Sequence, residues 1–178
     1  MKVLLFLFFP LIGFSQPKLE KISLLDNKVE ILSPKQLSPM SDQIWVTKYP
    51  AWATKYGEKN RPALALSDAN GEVNFLAEMT GMPAAENQLG DFKKFQMQGV
   101  AKYKGDVEFL GNGVKTINGK QVGYFKFLSK AADQKVFNYY FFCTVGGKIL
   151  SFTFNCIESL QKDWEKTADE MMASLKVK

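Results

Sequence analysis

Residues that could carry catalysis are few in this 178-residue chain, and it contains no histidine. Without histidine the chain cannot form a Ser-His-Asp triad or a Cys-His pair, and it lacks the most common metal ligand. A zinc site would need cysteines or carboxylates, and only Cys143 and Cys156 supply sulfur. The sequence therefore predicts no metal site and no bound cofactor.

Carboxylates are the remaining groups for acid–base chemistry. Two of them, Asp68 and Glu78, lie near the ends of a predicted hairpin, and three lie on the polar side of the last predicted helix: Asp163, Asp169 and Glu170. Paired carboxylates can act as general acid and base, but this distribution is typical of solvated surface. We therefore predict that the protein is not an enzyme. A carboxylate-dependent hydrolase is the alternative, and it would need two carboxylates facing each other in a cleft.

Aromatic side chains are densest in residues 136–156, VFNYYFFCTVGGKILSFTFNC, which hold seven of the 24 in the chain. The Gly146-Gly147 pair predicts a two-residue hairpin turn, which places Val145 opposite Lys148 and Cys143 opposite Leu150. Side chains alternate along a strand, so nearly all of one face is apolar and should pack in the core. The other face is mixed. It is either a partly covered sheet face or a shallow binding site that Tyr140 and Phe142 help to line.

This register also predicts the state of the two cysteines. Cys156 lies six residues beyond the position opposite Cys143, which is about 20 Å at roughly 3.3 Å per residue. A disulfide needs Cα atoms within about 7 Å of each other. We therefore expect two free, buried thiols that pack as small apolar groups.

A second aromatic group occurs in a short near-repeat, where WVTKY is followed seven residues later by WATKY. Pro50 can begin a helix between the two copies, and Gly57 can end it. The segment is either a cover packed on a sheet edge or an exposed aromatic and cationic surface flanked by Lys59 and Arg61. Such a surface would bind a protein, a glycan or an anionic ligand. Its candidate contact residues are Trp45, Lys48, Tyr49, Trp52, Lys55 and Tyr56.

The first 15 residues, MKVLLFLFFPLIGFS, have the layout of a signal peptide, with cleavage expected before Gln16. The mature chain, residues 16–178, suits one domain. We expect a periplasmic or extracellular protein without a later membrane span. The net charge of +5 comes from scattered lysines rather than a basic stripe, so we expect no nucleic-acid partner.

Turn signals and periodicity predict the remaining elements. Asp26-Asn27, Asn70-Gly71 and Asn118-Gly119 each predict a turn between two strands. Helical spacing of apolar residues predicts helices over residues 87–104 and 159–177, and residues 81–86 are expected to form a loop. The predicted fold class is therefore α+β: an antiparallel sheet of about six to eight strands, mostly hairpins, packed by an internal helix and a C-terminal helix.

This order of elements resembles that of the PsbP-like and DcrB-type domain family, whose fold is similar to that of Mog-type nuclear import factors. Three segments carry the resemblance: residues 117–127 (INGKQVGYFKF), 150–154 (LSFTF) and 173–175 (ASL). The resemblance implies a central antiparallel sheet with helices on it, in places on both sides. Family members include periplasmic lipoproteins and accessory subunits. The lipoprotein cysteine is missing here, so a lipid anchor does not carry over, and no family binding residue can be placed.

From these observations we expect a non-catalytic, exported binding or accessory protein of the cell envelope whose partner is a protein or a small ligand. One alternative is an immunity or inhibitor protein that captures a secreted toxin. Another is a small-ligand carrier that uses the sheet face near Tyr140 and Phe142. A cavity of several hundred Å³ at that face would favour the carrier.

Overall fold

The computed structural model describes residues 17–56, 62–104, 106–131 and 134–178. Within these ranges the chain forms two antiparallel sheets and four α-helices, which confirms the predicted α+β class. The helices are α1 (Asp42–Lys48), α2 (Pro50–Tyr56), α3 (Leu89–Lys104) and α4 (Gln161–Ser174). The strands are β1 (Leu19–Leu24), β2 (Val29–Pro34), β3 (Ser38–Pro39), β4 (Leu64–Ser67), β5 (Val73–Pro83), β6 (Val107–Ile117), β7 (Lys120–Ala131), β8 (Gln134–Val145), β9 (Lys148–Ile157) and β10 (Lys176–Val177).

The larger sheet has seven strands in the order β3-β4-β5-β9-β8-β7-β6, and the smaller has the order β1-β2-β10. The seven strands of the larger sheet agree with the predicted six to eight. The described ranges also include β3 and β10, which have two residues each and are too short to show alternation in a sequence.

Tight turns determine the register of the hairpins. Gly146, Gly147, Asn118 and Gly119 all have positive φ, as a two-residue hairpin turn requires. The β8–β9 ladder accordingly pairs Val145 with Lys148 and Cys143 with Leu150, which confirms the predicted register.

One face of the seven-stranded sheet carries the main core. Alternate residues of β8 and β9, including Phe141, Phe152 and Phe154, pack in one cluster with α4 and the small sheet. Helix α4 contributes Trp164, Ala168, Met171 and Met172, all buried at helical spacing. Burying each large apolar side chain stabilises the fold by roughly 2 kcal/mol, so this face contributes much of its stability.

In the described part of the chain, helices cover the opposite face of the sheet at its two sides. Helix α3 packs over β6 and β7, where Leu89 joins Phe125 and Phe127 in a second cluster. Helices α1 and α2 pack over the other side, where Trp45 and Ala53 contact Leu76 of β5. The middle of this face, above β9, lies between the two helical covers.

Two predicted boundaries are wrong. The last helix ends at Ser174 rather than at residue 177, because Lys176 and Val177 pair with β2 as strand β10. Residues 81–83 are not loop, because β5 continues to Pro83 through a register irregularity after Met79. The predicted signal peptide lies outside the described residues. None of the helices in the described part of the chain is long and apolar enough to cross a membrane.

Candidate functional site

A cavity of about 450 Å³ lies over the middle of the seven-stranded sheet, between α3 and the strand face. We call it the central trough. Fourteen residues line it: Leu76, Glu78, Thr80, Phe92, Phe95, Gln96, Gly99, Val100, Tyr103, Phe125, Tyr140, Phe142, Ser151 and Thr153. The volume lies within the range of small-molecule sites, and the lining combines many apolar side chains with a few polar ones, as such sites do.

The floor of the trough follows from the pairing of three strands. Ser151 of β9 lies between Glu78 of β5 and Phe142 of β8. One step along, Thr153 lies between Leu76 and Tyr140 in the same way. Because the central strand presents small hydroxyl side chains and its neighbours present larger ones, the surface is concave above β9.

Helix α3 forms one wall of the trough. Phe92, Gln96, Gly99 and Tyr103 recur at helical spacing and so share one side of the helix. Gly99 lines the trough without a side chain, and a methyl group added there would meet no heavy atom within 4 Å outside the neighbouring helix backbone.

Two aromatic residues at the rim of the trough are strongly exposed. Phe95 is 60% exposed and Tyr103 is 81% exposed. Large aromatic side chains left in water beside a cavity are typical of a surface that is covered when a ligand or partner binds.

Tyr140 and Phe142, the two residues predicted to line a site on this face, both lie in the trough. The Phe142 ring packs edge-on against Phe92 with ring centroids 4.8 Å apart, and Tyr140 packs edge-on against Phe125 at 5.2 Å. Burial raises the pKa of Tyr140, against the opposing effect of its hydrogen bond with Thr153, so the phenol stays protonated at neutral pH.

Trp45 does not belong to an exposed aromatic surface, contrary to one of the two sequence interpretations. It is 0% exposed, and its ring lies 5.3 Å from that of Tyr49. Residues four apart share one side of α1, and Trp45 is buried because that side packs against Leu76 of the sheet. The segment is therefore a cover at this point, as the other interpretation held.

The neighbours of Trp45 that the structure describes are also engaged within the protein. Tyr49 is half-buried, and its hydroxyl oxygen accepts a hydrogen bond from Nδ2 of Asn155 at 3.1 Å. Burial raises the pKa of Tyr49 to about 12, although the Asn155 hydrogen bond lowers it. The Lys48 ammonium donates to the carbonyl oxygen of Gly71. The side chains of Trp52, Lys55 and Tyr56, together with Lys59 and Arg61, lie outside what the structure describes, so a role for them in binding stays a prediction.

The carboxylates singled out from the sequence lie in different places. Asp68 accepts a hydrogen bond from the amide of Val73 at 3.1 Å in a turn. Asp169 contacts Lys126 at 2.9 Å on the α4 side of the sheet, whereas Glu78 lines the trough on the other side. Among the described residues, no group of three His, Cys, Asp or Glu side chains could hold a metal ion.

Both cysteines are free and buried, as predicted. Burial raises the pKa of each thiol to about 12, so neither is a thiolate nucleophile at neutral pH.

The sequence analysis did not identify several of the residues that line the trough. The composition of the second face of β9 could have identified some of them. The second face of β9 reads Ile149, Ser151, Thr153, Asn155, and three of these four are small or polar and half-buried. Such a face on a central strand indicates a surface that no helix covers. By contrast, no sequence signal places Glu78 or Phe95 beside it, because β5 and α3 reach the trough through tertiary packing.

The fold formed by these elements is that of PsbP-like proteins. The solution structure of cyanobacterial PsbP (CyanoP) from Synechocystis sp. PCC 6803 superposes with a TM-score of 0.64 at 15% identity, over 93% of this chain and 96% of that one. LpqN of Mycobacterium tuberculosis, described as involved in cell envelope biogenesis, matches with a TM-score of 0.53 at 10% identity over 92% of each chain. PA94 of Pseudomonas aeruginosa, a protein of unknown function, matches at 0.50 and 12% identity over 60% of this chain and 73% of that one.

No family model matches the chain, and no curated protein matches it in sequence. The structural comparisons therefore identify the fold and leave the function to be argued from the site.

Proposed function

We propose that this protein is a non-catalytic binding protein, exported to the cell envelope, and that the central trough is its binding site. The observation that carries the proposal is the trough itself: a cavity of about 450 Å³ over the central strand, with aromatic residues on the floor, wall and rim. The small-ligand carrier, expected from the sequence as an alternative, is thereby favoured over a toxin inhibitor.

The chemistry of the lining supports binding rather than catalysis. The described lining residues include one carboxylate, Glu78, and no cysteine. The carboxylate-dependent hydrolase considered from the sequence needs two carboxylates facing each other, and Glu78 has no second carboxylate among the described lining residues. Asp169, another carboxylate considered from the sequence, contacts Lys126 on the α4 side of the sheet.

The expected location supports an envelope role. Residues 1–15 have the layout of a signal peptide, and LpqN, a protein of the same fold, is described as involved in cell envelope biogenesis. Fractionation of cells that produce the full chain should recover a form that begins at Gln16 outside the cytoplasm. Recovery of the uncleaved chain in the cytoplasm would contradict this part of the proposal.

The binding site can be tested with N-phenyl-1-naphthylamine, an uncharged probe whose fluorescence rises in apolar surroundings. We expect saturable binding to the wild-type protein and loss of binding in Ser151→Leu, because leucine on the central strand fills the trough from its floor. Thr116→Leu is the matched control: Thr116 is an exposed residue on β6, outside the trough lining. Equal probe binding by wild type and Ser151→Leu would contradict the proposed site.

A further inference from the structure

We infer that β6, an outer strand of the seven-stranded sheet, pairs antiparallel with β6 of a second copy of this chain about a two-fold axis at Asn112. The pairing joins the two sheets edge to edge into one continuous sheet. It uses a different surface from the central trough and does not depend on the proposed function.

The two edges of the seven-stranded sheet differ in how open they are. The edge at β3 has two residues and includes Pro39, which cannot donate a backbone hydrogen bond. The edge at β6 is 11 residues long, has no proline, and pairs only with β7 in the described part of the chain. Seven large apolar side chains are exposed in that part, and three of them lie on β6: Phe109, Leu110 and Val114. A long apolar edge of this kind is a template for pairing with another strand.

Backbone hydrogen-bonding groups determine the register in which β6 can pair. The turn between β6 and β7 has two residues, so its flanking residues, Ile117 and Lys120, form a hydrogen-bonded pair, and bonded and non-bonded pairs alternate from there. The bulge at Leu110 shifts this alternation by one residue. The residues of β6 that direct their N–H and C=O groups away from β7 are therefore Val107, Phe109, Asn112, Val114 and Thr116.

A two-fold axis at Asn112 places each of these outward-directed residues opposite another one. Asn112 meets its own copy, and Val114 meets Phe109. Further along the strand, Thr116 meets Val107. The outward N–H and C=O groups of both strands thus gain partners. The extra residue of each bulge lies between paired positions, as it does in the β6–β7 ladder.

The side chains on both faces of the sheet also match in this register. On the α3 side, Phe109 of one copy lies beside Val114 of the other, and both are exposed in the single chain. On the α4 side, Glu108 lies opposite Lys115 at a non-hydrogen-bonded position, where side chains on facing strands are closest. Because the symmetry repeats each contact, two pairs of opposite charges flank the axis. A register shifted by two residues loses both pairs, so the charges favour this register over its neighbours.

Charge reversal tests the register by sedimentation equilibrium of the protein purified from cells that produce the full chain. We expect the wild type to dimerise reversibly with a Kd of about 1–100 µM, because a single strand edge is a small interface. Glu108→Lys and Lys115→Glu should each raise the Kd at least tenfold, since each variant places two pairs of like charges across the axis. An equimolar mixture of the two variants should recover the wild-type Kd, because every such pair is then of opposite charge. Glu170→Lys, the same change at an exposed position on α4, should leave the Kd unchanged.

A cysteine at the axis gives an independent test, read by non-reducing electrophoresis after oxidation with diamide. Asn112→Cys should form a disulfide-linked dimer, because the Cα atoms of a hydrogen-bonded antiparallel pair are about 5.5 Å apart, within the reach of a disulfide. Thr116→Cys is the matched control on the same strand. Its two copies would lie about 26 Å apart, so it should not cross-link. The two native thiols are buried and do not compete.

The outcomes that overturn the inference are specific. A mass of one chain at every concentration up to about 1 mM overturns it, even if a strand of another protein binds the same edge. Dimers with an unchanged Kd in Glu108→Lys, or cross-linking of Thr116→Cys rather than Asn112→Cys, also overturn it. Circular dichroism verifies that each variant is folded, and if a charge variant unfolds, the cysteine pair decides. None of these outcomes bears on probe binding in the central trough.

Discussion

The substitution Gly123→Ala tests how closely the floor of the central trough is packed. Gly123 is buried on β7 opposite Phe142. A methyl group built on it would lie 2.6 Å from Cζ of the Phe142 ring, 3.2 Å from Cδ2 and closer still to Cε2. Ordinary contacts between carbon atoms are 3.5–4.0 Å. The ring would therefore have to retreat by about 1 Å, against Phe92, which packs edge-on to it.

We expect Gly123→Ala to lower the free energy of unfolding by about 1–3 kcal/mol, the usual cost of overpacking a filled site. The measurement is urea unfolding followed by far-ultraviolet circular dichroism. Gly99→Ala is the matched control, because it makes the same chemical change on α3, where a methyl group meets no heavy atom within 4 Å. That variant should raise the free energy of unfolding, by up to about 1 kcal/mol, through better helix propensity.

A double-mutant cycle identifies the clash. Phe142→Leu removes the part of the ring that a methyl group at Gly123 would contact, so Gly123→Ala should cost less in that background by at least about 0.5 kcal/mol. If the two substitutions are additive, or if Gly123→Ala alone is neutral, the close approach described here does not determine the packing of the floor.

Three further predictions concern the rest of the fold. Burial would raise the pKa of Glu165, but hydrogen bonds from Lys126 and Gln161 outweigh it and hold that pKa below its usual value. The stability that these hydrogen bonds give the folded state is present above pH 4.5 and is lost as the pH falls through the lower pKa of the folded state. Lys126→Met should therefore make the free energy of unfolding fall less steeply as the pH is lowered. An unchanged slope would contradict this. Both thiols should resist a thiol reagent in the native protein and react after unfolding, and reduction should not change the native mass; native labelling would contradict their burial. Trp45→Ala should lower the free energy of unfolding by about 3–5 kcal/mol, measured by urea titration; a cost under about 1 kcal/mol would mean that the ring is not in the core.

Local signals were sufficient to predict the hairpins. In β8 and β9 a two-residue turn determines which residues are paired, and strict alternation then assigns every side chain to a face. This is why the free cysteines, the buried phenylalanines and the position of Tyr140 and Phe142 on the second face all follow from the sequence.

The order of the strands and the position of the helices could not be predicted in the same way. Strand β5 pairs with β9 across more than 60 intervening residues, and nothing in either strand identifies the other. The burial of Trp45 could not be predicted for the same reason. The spacing of the aromatic residues predicts that they share one side of α1, but whether that side meets a sheet or water depends on tertiary packing. From the sequence, Glu78 is either a solvated carboxylate or one member of an acid–base pair, and its position in the trough could not be predicted because it depends on the β5–β9 pairing.

Strand β9 explains how a single segment can contribute both to the core and to the proposed binding site. Its first face carries Leu150, Phe152 and Phe154, which are buried beneath the sheet. A helix packed over the second face would remove Ser151 and Thr153 from water, and burying hydroxyl groups without new partners is costly. A sheet face made to be covered by a helix carries mainly Val, Ile and Leu instead. The second face thus retains hydroxyl groups along the middle of a surface whose margins are aromatic. A ligand with a polar and an apolar part can hydrogen-bond to the hydroxyl groups and pack against the aromatic margins.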